Sequence, residues 1–106
     1  MTRRVILGRE IVSFADRDTE RLFRRQRVKR IDPRLHPKAM TKLLLLDAVQ
    51  DLDELRVPPG NRLELLEGDR AGQHSIGIND DWRIWFSWTP AGPQGVEIVD
   101  YHCGEA

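Results

Sequence analysis

One cysteine, Cys103, in 106 residues leaves no internal disulfide and no multi-cysteine zinc site. That scarcity fits a reducing compartment. No uninterrupted apolar run approaches the roughly 20 residues that span a bilayer, and Met1 to Glu10 lacks the apolar centre of a signal peptide. A cytoplasmic chain with no membrane contact is expected. The three histidines, His36, His74 and His102, are scattered without metal-ligand spacing, so neither a metal nor another cofactor is expected. Internal repeats and low-complexity segments are missing as well. So is net charge: 17 Lys/Arg stand against 17 Asp/Glu.

That balance conceals an asymmetry. Met1 to Lys42 carries 13 Lys/Arg against 5 Asp/Glu, and Leu43 to Ala106 carries 4 against 12. A basic first half suits a phosphate backbone, although blocks of arginine on a helix are commonly just a solvated face.

A chain of this length closes one modest core. Residues 1–9 read as a basic, loosely ordered arm and residues 10–103 as a single domain. Glu10 to Phe14 is β-branched enough for a short strand. Asp16 or Asp18 can cap a helix running to about Arg27, apolar through Leu22, Phe23 and Val28. Asp32-Pro33 and His36-Pro37 interrupt the chain. A longer helix is expected from about Pro37 to Leu55, with Ala39, Met40, Leu43, Leu46, Val49, Leu52 and Leu55 at three- and four-residue spacings. Asp47, Asp51, Asp53 and Glu54 lie in its second half and oppose the helix dipole. The basic first helix alongside them would offset this, as a helical hairpin.

Val57-Pro58-Pro59-Gly60 ends the helix, and the period becomes two. Strands are expected around Leu63 to Leu65, over His74 to Asn79, over Trp82 to Trp88 and over Val96 to Tyr101. Asn79-Asp80-Asp81 should turn a hairpin, and Thr89 to Gly95 should form a loop. The fold class is α+β: an N-terminal strand and a two-helix hairpin on one face of a mostly antiparallel, twisted sheet. Trp82, Ile84, Phe86 and Trp88 should meet the helices, leaving Arg83, Trp85 and Ser87 on the open face.

The side chains able to do chemistry concentrate in this second half. A metal-free ribonuclease needs a base for the ribose 2′-hydroxyl, an acid for the leaving 5′-oxygen, and cations for charge developing on the phosphate. His102 titrates near cellular pH and suits proton transfer. Asp100 shares a strand face with it and can fix the imidazole tautomer or act as a base. Tyr101 can stack on a base or lend its hydroxyl to the phosphate, or equally belong to the core. Arg83 offers a planar fork for phosphate or a structural ion pair. Arg70 and Arg62 are further phosphate candidates, and Trp85, on the open face, can contact RNA. Glu64 and Glu67 admit two readings, a general base or plain surface acids that weaken RNA binding. His36 and His74 read as structural.

Leu55-Arg-Val-Pro-Pro-Gly-Asn-Arg-Leu-Glu64, Gly68-Asp-Arg70, Ser75-Ile76, Ile78-Asn79, Trp82-Arg-Ile84, Phe86 and Val96-Glu-Ile-Val-Asp-Tyr-His102 together resemble the HigB-type branch of the RelE/ParE toxin superfamily. These are the toxins of bacterial type II toxin–antitoxin pairs, among them the plasmid maintenance killer proteins. The resemblance covers about Glu10 to His102. It implies a RelE-like fold and a ribosome-dependent messenger-RNA endonuclease working in the ribosomal A site. It also implies a HigA-like helix-turn-helix antitoxin as partner, with operator DNA bound only through the complex. Two positions depart from the family pattern, Glu67 for a lysine and Gly77 for a basic residue. The alternative is a toxin fold that binds without cutting, holding its antitoxin or a gyrase-type target.

Overall fold

The computed structural model describes residues 10–57 and 59–100. The expected arm over residues 1–9 therefore lies outside the described residues, as do Tyr101, His102 and Cys103; Arg70 is described by its backbone alone.

From Leu63 onward the two-residue period becomes a four-stranded antiparallel sheet in sequence order. Its strands are β1 (Glu64–Leu65), β2 (Gln73–Gly77), β3 (Trp82–Thr89) and β4 (Gly92–Asp100). Two helices, α1 (Arg17–Phe23) and α2 (His36–Ala48), contact each other and β4. Leu22, Leu43 and Leu46 from the helices meet Ile76, Ile84, Phe86 and Ile98 from the sheet in one core. Each such side chain contributes about 1.5–3 kcal/mol by leaving water. Trp82 and Trp88 pack against the edge of this core.

The first helix is shorter than its composition suggests. Arg25 adopts φ 68°, and the Arg25 and Gln26 N–H groups donate to the carbonyls of Leu22 and Arg21, both at 2.9 Å. This is a Schellman ending, with arginine where glycine is usual, so no glycine marks it in the sequence. At the other end Asp16 accepts from the Thr19 N–H at 3.1 Å, so of the two candidate N-caps, Asp16 and Asp18, the first is used.

The second helix also stops early, at Ala48. Val49 turns extended, and Leu52–Arg56 follow as a 3-10 turn that keeps Leu55 fully buried. Charge alone leads one to expect the first helix to match the acidic residues at this end, but among the described residues their bonds lie elsewhere. Asp47 Oδ1 instead accepts the Ile11 N–H at 2.8 Å, and Asp53 pairs with Arg56 at 3.2 Å. The arginines have local partners too: Arg24 bonds Glu20 one turn back, and Arg30 spans Asp16 and Asp18. A local carboxylate costs less chain ordering than a distant one.

The outer edge of β4 is covered rather than open. The 10–14 segment runs beside it as an extended stretch with a single parallel bridge, Phe14 to Val96, so the expected strand is reduced to that bridge. Val12 N–H donates to Pro93 O at 2.7 Å and Val96 N–H to Ser13 O at 3.0 Å. Further along, the buried Thr19 hydroxyl accepts the Ile98 N–H at 3.0 Å, and Arg30 donates to the Ile98 carbonyl at 3.2 Å. Such covering prevents edge-to-edge pairing with other chains.

The expected loop over Thr89 to Gly95 is instead a two-residue turn, with Thr89 paired to Gly92. The Thr89 hydroxyl accepts from the Ala91 and Gly92 N–H groups, both at 3.2 Å. A bulge between Trp85 and Ser87 absorbs the extra residue of β4, where Gly95 sits at φ 63°. Pro93 joins the strand because its carbonyl, not its nitrogen, meets the 10–14 segment. At the other end Asn79 Oδ1 accepts from Asp81 and Trp82 N–H groups, both at 2.8 Å, and closes the β2–β3 turn.

Candidate functional site

The register assigns the candidate residues to faces. Trp82 pairs with Asp100 and Ile84 with Ile98, on the side that meets the helices. Gly77, Arg83 and Val99 form one row on the other face, and Glu64, Ser75, Trp85 and Glu97 form the next. Asp100, exposed at the end of β4, is thus on the opposite face from Arg83. The expectation that these two share one cleft is not met by the register.

Arg83 is 3% exposed. Its guanidinium bonds the Ser75 hydroxyl, donates to the Arg62 carbonyl at 2.7 Å and the Ser75 carbonyl at 3.4 Å, and lies 3.6 Å from the Glu64 carboxylate. Of the two readings open in the sequence, phosphate clamp or structural ion pair, this environment matches the second: the fork faces protein acceptors, not solvent. A buried cation needs such acceptors, because desolvation otherwise outweighs the attraction of one carboxylate that is itself mostly in water. Glu64 is therefore engaged with Arg83 rather than standing as a lone base.

What Arg83 holds is the backbone of Arg62. This residue has φ 50°, a conformation that costs a non-glycine residue about 1 kcal/mol. Its exposed guanidinium lies 3.4 Å from the Asn79 carbonyl and 3.6 Å from Asp80. Next to it, Asn61 is fully buried; its amide donates to the carbonyls of Leu55 and Val57 at 3.1 and 3.3 Å and accepts from Lys42 Nζ. Asn61 thereby fastens the segment after α2 to α2 itself. A Cβ at Gly77 would stand 3.4 Å from Arg83 Nη1 and 3.6 Å from Arg62 Nη2, so the absent side chain leaves room for both cations. Lys38, Lys42 and Arg62 line a cleft of about 390 Å³ floored by Gly77. The two lysines were missed in the sequence. Their four-residue spacing in a basic stretch was the available signal, but only the fold brings them opposite Arg62.

The remaining candidates are dispersed. Trp85 is half-buried on the open face, and Glu67 is exposed ahead of the Gly68–Arg70 turn with no capping bond from its side chain. His36 bonds the Ile31 carbonyl at 3.0 Å, and His74 stacks on Phe86 with ring centroids 6.0 Å apart. Burial, and then the nearby Arg56 charge, lower the His74 pKa below its ordinary 6.5. No group of three or more metal-ligating side chains occurs among the described residues, and no helix there is long and apolar enough to cross a membrane.

Comparison with known proteins agrees with this architecture. The family model described as the RelE-like toxin of type II toxin–antitoxin system HigB matches residues 12–102. Toxin HigB-1 of Vibrio cholerae serotype O1 is 38% identical over 91 residues, 85% of this chain and 92% of that protein. The crystal structure of YafQ from E. coli strain BL21(DE3) superposes with a TM-score of 0.55 over 93% of this chain and all of that one. At 15% identity the YafQ likeness speaks for the fold alone.

Proposed function

Because this chain belongs to the RelE-like HigB toxins of type II toxin–antitoxin systems, we propose that it cleaves messenger RNA in the ribosomal A site as a metal-free endoribonuclease. The observation that carries this reading is the family match running through residue 102, so that it takes in the terminal Asp100-Tyr101-His102 word. A toxin of this kind has an antitoxin partner, and a HigA-like helix-turn-helix protein is the form proposed here.

In the proposed reaction the ribose 2′-oxygen attacks the adjacent phosphorus as its proton passes to a base. The bond to the 5′-oxygen breaks, that oxygen takes a proton, and the products are a 2′,3′-cyclic phosphate and a 5′-hydroxyl. His102 is assigned to proton transfer, Asp100 to holding or assisting it, and Tyr101 to the base or phosphate. Arg70 and Arg62 are assigned to the phosphate, with Trp85 beside the RNA. Arg83 is a positioning residue, acting through the Arg62 backbone that it holds. Primer extension on messages after induction tests the reading. Cuts within translated codons that vanish in His102→Ala are expected; an uncut message in cells arrested by the wild-type protein would overturn it.

Burial of Arg83 and the acidic Glu67 favour a second reading, a toxin fold that binds its antitoxin or another target without cutting RNA. Growth arrest with intact messages, unchanged by His102→Ala, is its signature.

A further inference from the structure

Resting on the nuclease reading for the identity of the ligand, we propose that Lys38, Lys42 and Arg62 form a subsite for a backbone phosphate of RNA, in the cleft between α2 and the Gly77 end of the sheet. Positions 38 and 42 are one turn apart on α2, so both ammonium groups face the same way. Like charges at this spacing disfavour a helix. Among the described residues neither lysine pairs with a carboxylate, and Lys42 is bonded by the neutral Asn61 amide oxygen. Burial, then Lys38, pull the Lys42 pKa down, as expected for cations left without a counter-charge.

The opposite wall is built to complement them. Arg62 enters with its backbone in the left-handed region, held there by Arg83, and Gly77 keeps the floor free of a side chain. Asp80 is the carboxylate of this lining; it is 97% exposed and 3.6 Å from Arg62, a surface pair that an entering phosphate readily replaces. Three cations around an open cleft with one solvated acid suit a phosphodiester.

The location suits a backbone phosphate of an RNA strand. Gly77 is paired with Arg83 and Arg83 with Val99, so two strand spacings, about 10 Å, separate the cleft floor from Val99 on the same face, one residue before Asp100. An RNA strand is long enough to run along this face from the cleft to β4, with one of its backbone phosphates in the cleft. The phosphate belongs either to the message or to ribosomal RNA.

The test uses the full chain and a fluorescent oligoribonucleotide made uncleavable by 2′-O-methylation. In Lys38→Gln/Lys42→Gln its affinity is expected to fall about tenfold, and the dependence of log K on log salt to flatten by about 0.7, the value of one phosphate contact on a single strand. Lys38→Gln alone, which disturbs no hydrogen bond to Asn61, should show the same direction. A matching loss on message-free ribosomes assigns the phosphate to ribosomal RNA, and a loss on the oligonucleotide alone assigns it to the message. Unchanged affinity and slope in the double variant overturn the subsite. Inorganic pyrophosphate separates it from the nuclease reading. Amide shifts at Gly60, Gly77 and Asn79 that disappear in the double variant uphold the cleft even if no message is cut; no shifts overturn it even if messages are cut.

Discussion

Arg83 donates to the backbone carbonyl of Arg62 at 2.7 Å, so a guanidinium buried in β3 fixes the conformation of the residue that lines the basic cleft. The cleft thus depends on a cation that does not itself reach solvent. Arg83→Lys keeps the charge but not the fork, and cannot satisfy both the Arg62 carbonyl and the Ser75 hydroxyl. A loss of about 1–3 kcal/mol in urea unfolding is expected. A variant as stable as the parent would show that these bonds contribute nothing net.

Asn61 discriminates its own two roles. Asn61→Asp preserves an acceptor for Lys42 but removes the donors to the Leu55 and Val57 carbonyls. Loss of the buried bond to the Leu55 carbonyl, with the part-buried one to Val57, should cost about 1–3 kcal/mol, read from the denaturation midpoint, despite the new ion pair. If Asn61→Asp instead stabilises the fold, the lysine contact dominates.

At Gly77, alanine should be tolerated: its Cβ would meet the two guanidiniums at ordinary contact distance, and strand alanine orders at less entropic cost than glycine. Gly77→Ala is expected to leave stability within about 1 kcal/mol, whereas Gly77→Met should displace Arg62 and weaken binding of the fluorescent oligoribonucleotide. Equal RNA affinity in both variants would mean the floor of the cleft is not used.

His74 makes stability depend on pH in a fixed sense. Its pKa is lowered in the folded chain by burial and by Arg56, so the unfolded chain binds the proton more readily. Stability is complete above pH 6.5, the ordinary value, and declines as pH falls from there toward the lowered pKa. His74→Phe retains a ring against Phe86 and should flatten thermal stability between pH 7 and 5 relative to the parent. An unaltered pH profile would assign the dependence to other groups.

Glu67 is exposed and caps nothing with its side chain. Glu67→Lys should change stability by no more than about 0.5 kcal/mol and raise the rate of message cleavage, because it replaces a negative charge with a positive one three positions before Arg70 in the chain. Slower cleavage at unchanged stability would point to a working role for the carboxylate.

The amino-acid pattern by itself determined the α+β class, the two-residue period of β2 to β4, an aspartate cap at Asp16 or Asp18 and the Asn79 turn. Each of these is local chemistry, set by side chains a few positions apart. The apolar faces of the sheet and of α2 were legible for the same reason, through Ile84, Phe86, Leu43 and Leu46. Where α1 ends was not legible, because Arg25 occupies a position that glycine usually marks. Nor was the turn at Pro90-Ala91: its strands depend on a bulge at Gly95 and on pairing with the 10–14 segment, more than eighty residues away in the chain.

Tertiary structure alone decided the fate of the charged candidates. A strand arginine reads the same whether it faces solvent or acceptors of the protein itself; only the neighbouring segments made Arg83 internal and put Asp100 on the other face of the sheet. By the same rule Lys38 and Lys42 were an unremarked pair of helix lysines until the fold set Arg62 opposite them. Charge is fixed by sequence, but what a charge faces is fixed by the distant chain segments that pack around it.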